Sequence, residues 1–395
     1  MSQPIASVPV PAQPHRILVV DNCVALTGAL KAILNSLRNI RIEHPGLFEF
    51  EFVLPTGSAA VGPVSSEGYA VHTLPWVEIS KRPKDLLRYG PMLLRNSWRL
   101  RTLAKRRGAK LVHLNDFFNL AGVVGKWLGG PRLLTHVRLL PQNFPGPLRQ
   151  LWVGADTRFA DRVICVSEAV KQAFPPADNV LVVADPIPER EKHPLPAPDH
   201  AEGRAREGTL RLLYLANYIP GKGQDHAVAA FTEAYRQNPR LRLHFFGGDM
   251  GLEKNREYRR GLEAQVRAAG LQDVVQFNGF VQDVEREIKA ADMLLNFSET
   301  ESFSLTCLDA LFYGTALVAS DCGGPRELFE HGRSGLLVPN KDRAAMARAI
   351  VELAADADRR TAFAAAGRAY VRHKFSPDHT YRKLRDVYLE VLGIR

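Results

Sequence analysis

Cysteine is scarce in this 395-residue chain, and its four copies stand far apart. Cys23, Cys165, Cys307 and Cys322 form no C-x-x-C pair, which argues against a disulfide framework or a zinc site and points to a reducing compartment. No apolar run reaches the roughly 18 residues that a membrane-crossing helix needs. The first fifteen residues carry Pro4, Pro9, Pro11 and Pro14 but no basic start followed by an apolar core. They are expected to form a disordered tail, not a secretory signal, and the chain is expected in the cytoplasm. Acid is short in one half only: residues 1–200 hold 24 Lys/Arg against 16 Asp/Glu, whereas residues 201–395 hold 28 against 26. Most of the net charge of +10 therefore belongs to the first half, where Lys81 to Lys110 contains eleven bases and the single acid Asp85. Such a patch suits nucleic acid, an anionic membrane surface or an anionic substrate. Without aromatic interleaving or a binding motif, nucleic acid is not expected as a partner.

What is present is apolar patterning in two sets. With 46% apolar residues the chain can bury two sizeable cores. Short apolar runs at 16–21, 48–53, 70–74, 110–114, 132–137 and 162–166 read as strands separated by helical patterns. A proline-rich, charged stretch from Pro186 to Gly208 reads as a linker. A second set of strands follows at 210–215, 241–246, 274–277, 293–297, 316–320 and 336–338. Helical patterns accompany it at 225–238, 257–269, 305–313 and 343–355. A last amphipathic helix, from Pro377 to Leu392, can pack back on the first domain. Alternation of this kind predicts two doubly wound α/β domains, 16–185 and 209–375, facing each other across a cleft.

The run from Phe297 to Ala310 carries the most chemistry. Glu301 and Asp309 lie eight residues apart, and eight residues of helix advance about 800°, leaving two side chains about 80° apart on one broad face. Ser302 or Ser304 can cap that helix, freeing first-turn amides for an anion. Two acids beside an anion site suit a ligand with sugar hydroxyls on either side of a diphosphate.

This segment resembles the E-x7-E motif of the retaining family 4 glycosyltransferases, enzymes of the GT-B fold, with Asp309 where the second glutamate usually stands. The resemblance continues through Tyr313 to Leu328 ("a.G.Pvvasd.GG..E") and His331 to Val338 ("dG.tGllv"), and it covers the second domain from Leu210 to Leu392. It implies transfer of a sugar from a nucleotide sugar, UDP- or GDP-linked, to a glycan or lipid-linked acceptor in envelope or exopolysaccharide synthesis. The implied roles fall on Glu301 for the sugar hydroxyls, Asp309 for the ribose, and backbone amides of Ser302, Phe303, Ser304 and Leu305 for phosphate. Lys222, in Tyr218-Ile219-Pro220-Gly221-Lys222-Gly223, resembles the lysine that stabilises the departing diphosphate, with Gly223 beside it. The arginine expected five residues earlier is Asn217, so Arg138 and Arg326 are candidate substitutes. Phe280 and Val281 fall where the base pocket lies, although Phe280 reads equally as core. Thr135-His136-Val137-Arg138 resembles the family's "tvH" site, which makes His136 a catalytic candidate beside its plain structural reading. Gly28, after the first strand, suits either a close backbone approach to ligand or a simple turn. Asp116 stands at a strand end with no decided role. No protein nucleophile is implied, and no metal-binding aspartate motif is recognised, so no cofactor or divalent ion is expected to be required. Other readings are a sugar-nucleotide epimerase of the same fold and a catalytically silent nucleotide-binding module.

The basic segment suggests a further surface. From Met92 to Lys105, helical projection puts Met92, Leu93, Leu100, Leu103 and Ala104 on one core-facing stripe. Leu94 and Trp98 fall outside it, flanked by Arg101 and Lys105. Apolar wedges among bases suit peripheral docking on the anionic inner leaflet. The alternative is a solvated basic face with Trp98 packed against a neighbouring loop.

Overall fold

The computed structural model describes residues 11–76, 83–188, 208–376 and 379–394. It comprises two compact units. The first runs to Pro186 and takes in the segment from Pro377 onward, and the second is Ile187–Ser376. Of the expected tail, residues 1–10 lie outside the described residues, and a strand already begins at His15. Of the expected linker, residues 189–207 lie outside them as well.

The first unit holds strands β1 (His15–Val20), β2 (Phe48–Pro55), β3 (Ala70–Leu74), β4 (Leu111–Leu114), β5 (Arg132–Val137), β6 (Arg162–Cys165) and β7 (Val180–Val182). Its helices are α1 (Gly28–Glu43), α2 (Val61–Ser66), α3 (Pro83–Arg107), α4 (Ala121–Trp127), α5 (Gly146–Phe159) and α6 (Glu168–Lys171). The strands pair in parallel in the order β3-β2-β1-β4-β5-β6-β7. Thr27 caps α1 by accepting from Leu30 N, and Leu30, Ile33, Leu34, Leu37 and Ile40 bury one helical stripe against the sheet.

The second unit holds β8 (Leu210–Leu215), β9 (Leu241–Phe246), β10 (Val275–Asn278), β11 (Met293–Asn296), β12 (Ala316–Ser320) and β13 (Leu336–Val338), all parallel, in the order β10-β9-β8-β11-β12-β13. Its helices are α7 (Gln224–Gln237), α8 (Glu253–Ala268), α9 (Val284–Lys289), α10 (Leu305–Tyr313), α11 (Arg343–Ala355) and α12 (Ala357–Lys374). The last helix, α13 (Tyr381–Leu392), belongs to the first unit, where Tyr381, Leu384, Val387, Tyr388 and Val391 complete its core. In both sheets the strand order reverses at one place, between β1 and β4 and between β8 and β11, where parallel sheets open a crevice at their carboxyl ends.

The buried stripe of α3 differs from expectation in its middle. Leu100 and Ala104 are buried, but so are Asn96 and Ser97. Ser97 is tolerated there because its hydroxyl donates to Leu93 O at 2.7 Å. Strand β7 and helices α9 and α12 were not foreseen. In α12 the apolar residues are mostly alanine, and Asp356 separates it from α11 while capping it through Arg359 N.

Candidate active site

Three loops at the carboxyl edge of the second sheet, following β8, β11 and β12, converge on one ion pair. Lys222 Nζ lies 2.8 Å from Glu301 Oε1, and Ser298 Oγ donates to the same oxygen at 2.9 Å. Because β8 and β11 are neighbours at the reversal of strand order, their following loops are forced together. Tyr214 staples them: its hydroxyl donates to Lys222 O at 2.6 Å and accepts from Phe297 N at 2.9 Å. Gly223, at φ 76°, lets the backbones close further, since a Cβ there would lie 1.9 Å from Phe297 O. The third loop fixes Glu301, whose N donates to Cys322 O at 3.2 Å and whose carbonyl accepts from Gly324 N at 2.8 Å. Burial opposes the charge on Lys222, but the Glu301 carboxylate outweighs it by charge and hydrogen bond and holds the ammonium above its ordinary value.

This corrects the expected helical geometry of the two acids. Helix α10 begins only at Leu305, so Glu301 sits in the preceding loop and Asp309 lies within the helix. Ser304 is the cap, accepting from Cys307 N while held at φ 78°, and Asn296 Nδ2 donates to its hydroxyl at 3.1 Å. Phe303 is 3% exposed and packs edge-on to Phe375 at 5.5 Å, so its side chain is core. Ser302 and Leu305 are half-buried beside it.

Asp309 is half-buried, and desolvation pushes its carboxyl up to about 7 from 3.8. A raised acid favours the fold below its unfolded value and loses that advantage as pH rises through the folded one. Replacing Asp309 with asparagine is therefore expected to raise Tm relative to wild type more at pH 8 than at pH 5. A difference in Tm that stays constant between those two pH values would contradict it.

Asn217 does not stand idle where an arginine was expected. Its Oδ1 accepts from Gly248 N at 3.0 Å. Phe280 is 68% exposed, which removes the core reading, and it lies beside Gly248, while Val281 is half-buried. Arg326 is exposed and pairs with Asp321 at 2.5 Å, on a short 3-10 turn beside the Glu301 loop. Ser298, Tyr214 and Asn296 were missed by sequence reasoning. Nothing in a serine two residues past a strand signals that it will hold a carboxylate.

In the first unit, expectation and structure part more widely. Gly28 is the first residue of α1, behind its Thr27 cap, and makes no turn. His136 is 2% exposed within β5 and stacks on His113 at 5.4 Å. Burial, then the charge of Arg138, holds its imidazole well below 6.5, so it is neutral, and its Nε2 has no partner among the described residues. Arg138 is no free phosphate ligand. Its guanidinium is buried against Asp185 at 2.6 Å and donates to Asn115 Oδ1 at 2.5 Å, and Asn115 in turn donates to Asp21. Asp116, at φ 151°, is buried, and desolvation pushes its carboxyl up to about 7. It lines a cavity of about 1290 Å³ at the carboxyl ends of β1 to β5, with Asp21, Asn115 and Asn119 on the polar side and Trp76, Leu93, Phe144 and Trp152 among its apolar walls. Asn96 Oδ1 and Trp76 Nε1, both from residues in this lining, are buried without partners among the described residues. On α3, Leu94 and Trp98 are 56% and 57% exposed, so Trp98 is not packed under a loop, while Arg101 is half-buried and Lys105 exposed.

One Asp-x-Asp triplet, Asp356-Ala357-Asp358, escaped the sequence reading, and its first member serves as the cap of α12. Among the described residues no group of three His, Cys, Asp or Glu side chains is placed to hold a metal ion, and no helix is long and apolar enough to cross a membrane.

The chain matches the family described as glycosyl transferases group 1 over residues 197–370, and a glycosyl transferase 4-like domain over residues 44–185. A D-inositol 3-phosphate glycosyltransferase of Thermobispora bispora is 31% identical over 325 residues, 74% of this chain and 74% of that protein. An exopolysaccharide phosphotransferase of Streptomyces coelicolor is 36% identical over 140 residues, which is 35% of this chain, and the match spans 14% of that protein's length. The crystal structure of Anabaena HepE in complex with UDP superposes with a TM-score of 0.78 at 20% identity, over 95% of this chain and 100% of that one, and the same protein is also known with UDP-glucose. With two parallel doubly wound units and a match to both halves of its sequence, the chain belongs to the glycosyl transferases group 1 and has the GT-B fold.

Proposed function

We propose that the protein transfers a sugar, with retention of configuration, from a nucleotide-sugar donor to a glycan or lipid-linked acceptor in envelope or exopolysaccharide synthesis. The Lys222–Glu301 pair at the strand-order reversal carries this reading. A carboxylate suited to sugar hydroxyls and an ammonium suited to a departing diphosphate sit 2.8 Å apart on loops that cannot separate freely. The donor's phosphate takes the ammonium as leaving charge develops, and Glu301 turns to the sugar. No side chain need form a covalent intermediate, and the leaving phosphate takes the acceptor proton. The donor nucleotide is UDP or GDP.

The large cavity of the first unit supports an acceptor with an apolar body and a hydroxyl-bearing end. Its aromatic walls suit the former, and the Asp21–Asn115–Asn119 side suits the latter. Turnover of a panel of nucleotide sugars by the full chain tests the reading. One donor is expected to be consumed and to raise Tm in proportion to RT ln(1 + [L]/Kd). Binding without turnover across donors and acceptors would leave a nucleotide-binding module instead.

Exposed Leu94 and Trp98 beside Arg101 and Lys105 support peripheral docking on an anionic membrane face. Co-sedimentation with anionic vesicles, weakened by salt and by Trp98→Ala with Arg101→Ala, is the expected result. No binding at low salt removes the membrane from the account.

A further inference from the structure

At the amino edge of the first sheet, opposite its carboxyl-edge cavity, lies a second cavity of about 630 Å³. Arg101, Lys105, Lys110, Lys126 and Arg132 line it, against one acid, Asp161. Lys126 and Arg132 are already spent on that acid, at 2.6 and 3.2 Å. Arg101, Lys105 and Lys110 make no ion pair among the described residues, and Arg101 Nε is buried without a hydrogen-bond partner.

Helix-end electrostatics accounts for part of this charge. The last turn of α3 carries Lys105, Arg106 and Arg107, and that of α4 carries Lys126, where the carbonyl ends attract cations. It does not account for Arg101, well over a turn earlier, nor for Lys110 and Arg132, which stand before and at the start of neighbouring strands. A buried donor without an acceptor is costly, and an incoming oxygen removes that cost. A guanidinium fork backed by two ammonium groups matches the charge density and geometry of phosphate.

We propose that this cavity binds a phosphate group, contributed either by a soluble phosphate compound or by a phospholipid headgroup. The second source draws support from neighbouring residues. Trp127, 72% exposed, and Leu128, 37% exposed, follow Lys126, and Trp98, 57% exposed, precedes Arg101 by three residues, so exposed apolar side chains stand next in sequence to lining cations on two helices. The site concerns binding alone and stands whether or not the transfer reaction is as proposed.

The test titrates inorganic phosphate into the full chain at constant ionic strength and follows Tm. Wild type and Lys222→Ala are both expected to show a saturable rise. Arg101→Gln with Lys110→Gln is expected to move its midpoint at least tenfold higher, and Lys105→Gln alone, on the exposed rim, several-fold. A response that does not saturate, or one lost in Lys222→Ala and kept in the cavity variants, overturns the proposal. Vesicles of phosphatidylglycerol in phosphatidylcholine separate the sources. Loss of vesicle binding in the double variant, with competition by inorganic phosphate, assigns the lipid. Vesicle binding unchanged in a double variant that has lost inorganic phosphate assigns the soluble ligand.

Discussion

Lys222→Ala is expected to lower kcat by on the order of 100-fold or more while the protein stays folded. The side chain is partly exposed and its partners are few, so its removal leaves the core of the second unit untouched. On the proposed mechanism the variant loses a preorganised cation where negative charge develops on a leaving diphosphate, and each factor of ten corresponds to about 1.4 kcal/mol of barrier. Glu301→Gln serves as the companion. It keeps the side chain's shape and a group that can accept from Ser298 but removes the charge that holds Lys222. If the pair is catalytic, both variants lose turnover with little change in Tm. If it is only a staple between two loops, both lower Tm and leave the kcat of the folded fraction near wild type. Steady-state kinetics with the donor found by the panel, set beside thermal melts, decides between them.

Arg138→Met is expected to act in the opposite sense. The guanidinium and the Asp185 carboxylate are 3% and 7% exposed, so removing the cation strands a buried anion. Breaking such a pair on one side costs about 3–5 kcal/mol, against a total stability of about 5–15 kcal/mol. For a unit of this size, a fall in Tm on the order of 10 °C follows. The double variant Arg138→Met with Asp185→Leu should recover much of the loss, because a well-packed apolar pair avoids the desolvation that the ionic pair must overcome. A Tm unchanged by Arg138→Met, with nucleotide binding weakened, would return this arginine to the ligand site.

Arg138 and Glu301 also show where reading the chain stops. Apart from β7, strand positions were legible to within two residues, because a buried parallel strand writes its apolar run directly into the sequence. The carboxyl-edge loops holding Lys222 and Glu301, and the helix carrying Asp309, were legible through their order along the chain. What could not be read was how each side chain is spent. Arg138 finds Asp185 forty-seven residues further on, and Asn217 finds Gly248 thirty-one residues further on. Such partners follow from tertiary placement, which no local spacing encodes. The start of α10 was misjudged for a related reason: its cap, Ser304, adopts a left-handed φ that a serine rarely takes, so the residue type did not announce the break. Helix α12 was missed because its alanine-rich composition favours helix without marking a buried face.

The first unit closes its core with residues that the ribosome makes after the whole second unit. Tyr388 lies fully buried between Phe48 and Phe50, and its hydroxyl meets His113 Nδ1 at 2.7 Å, across 275 residues of chain. During synthesis, the whole second unit emerges before α13 does. The nascent first unit therefore waits, with an apolar gap on its sheet, while the whole of Ile187–Ser376 is synthesised. That interval exposes a surface suited to a holdase chaperone. Slow codons or a stalled message between residues 187 and 376 should cost this protein yield through aggregation of its first half, whatever the stability of the finished molecule.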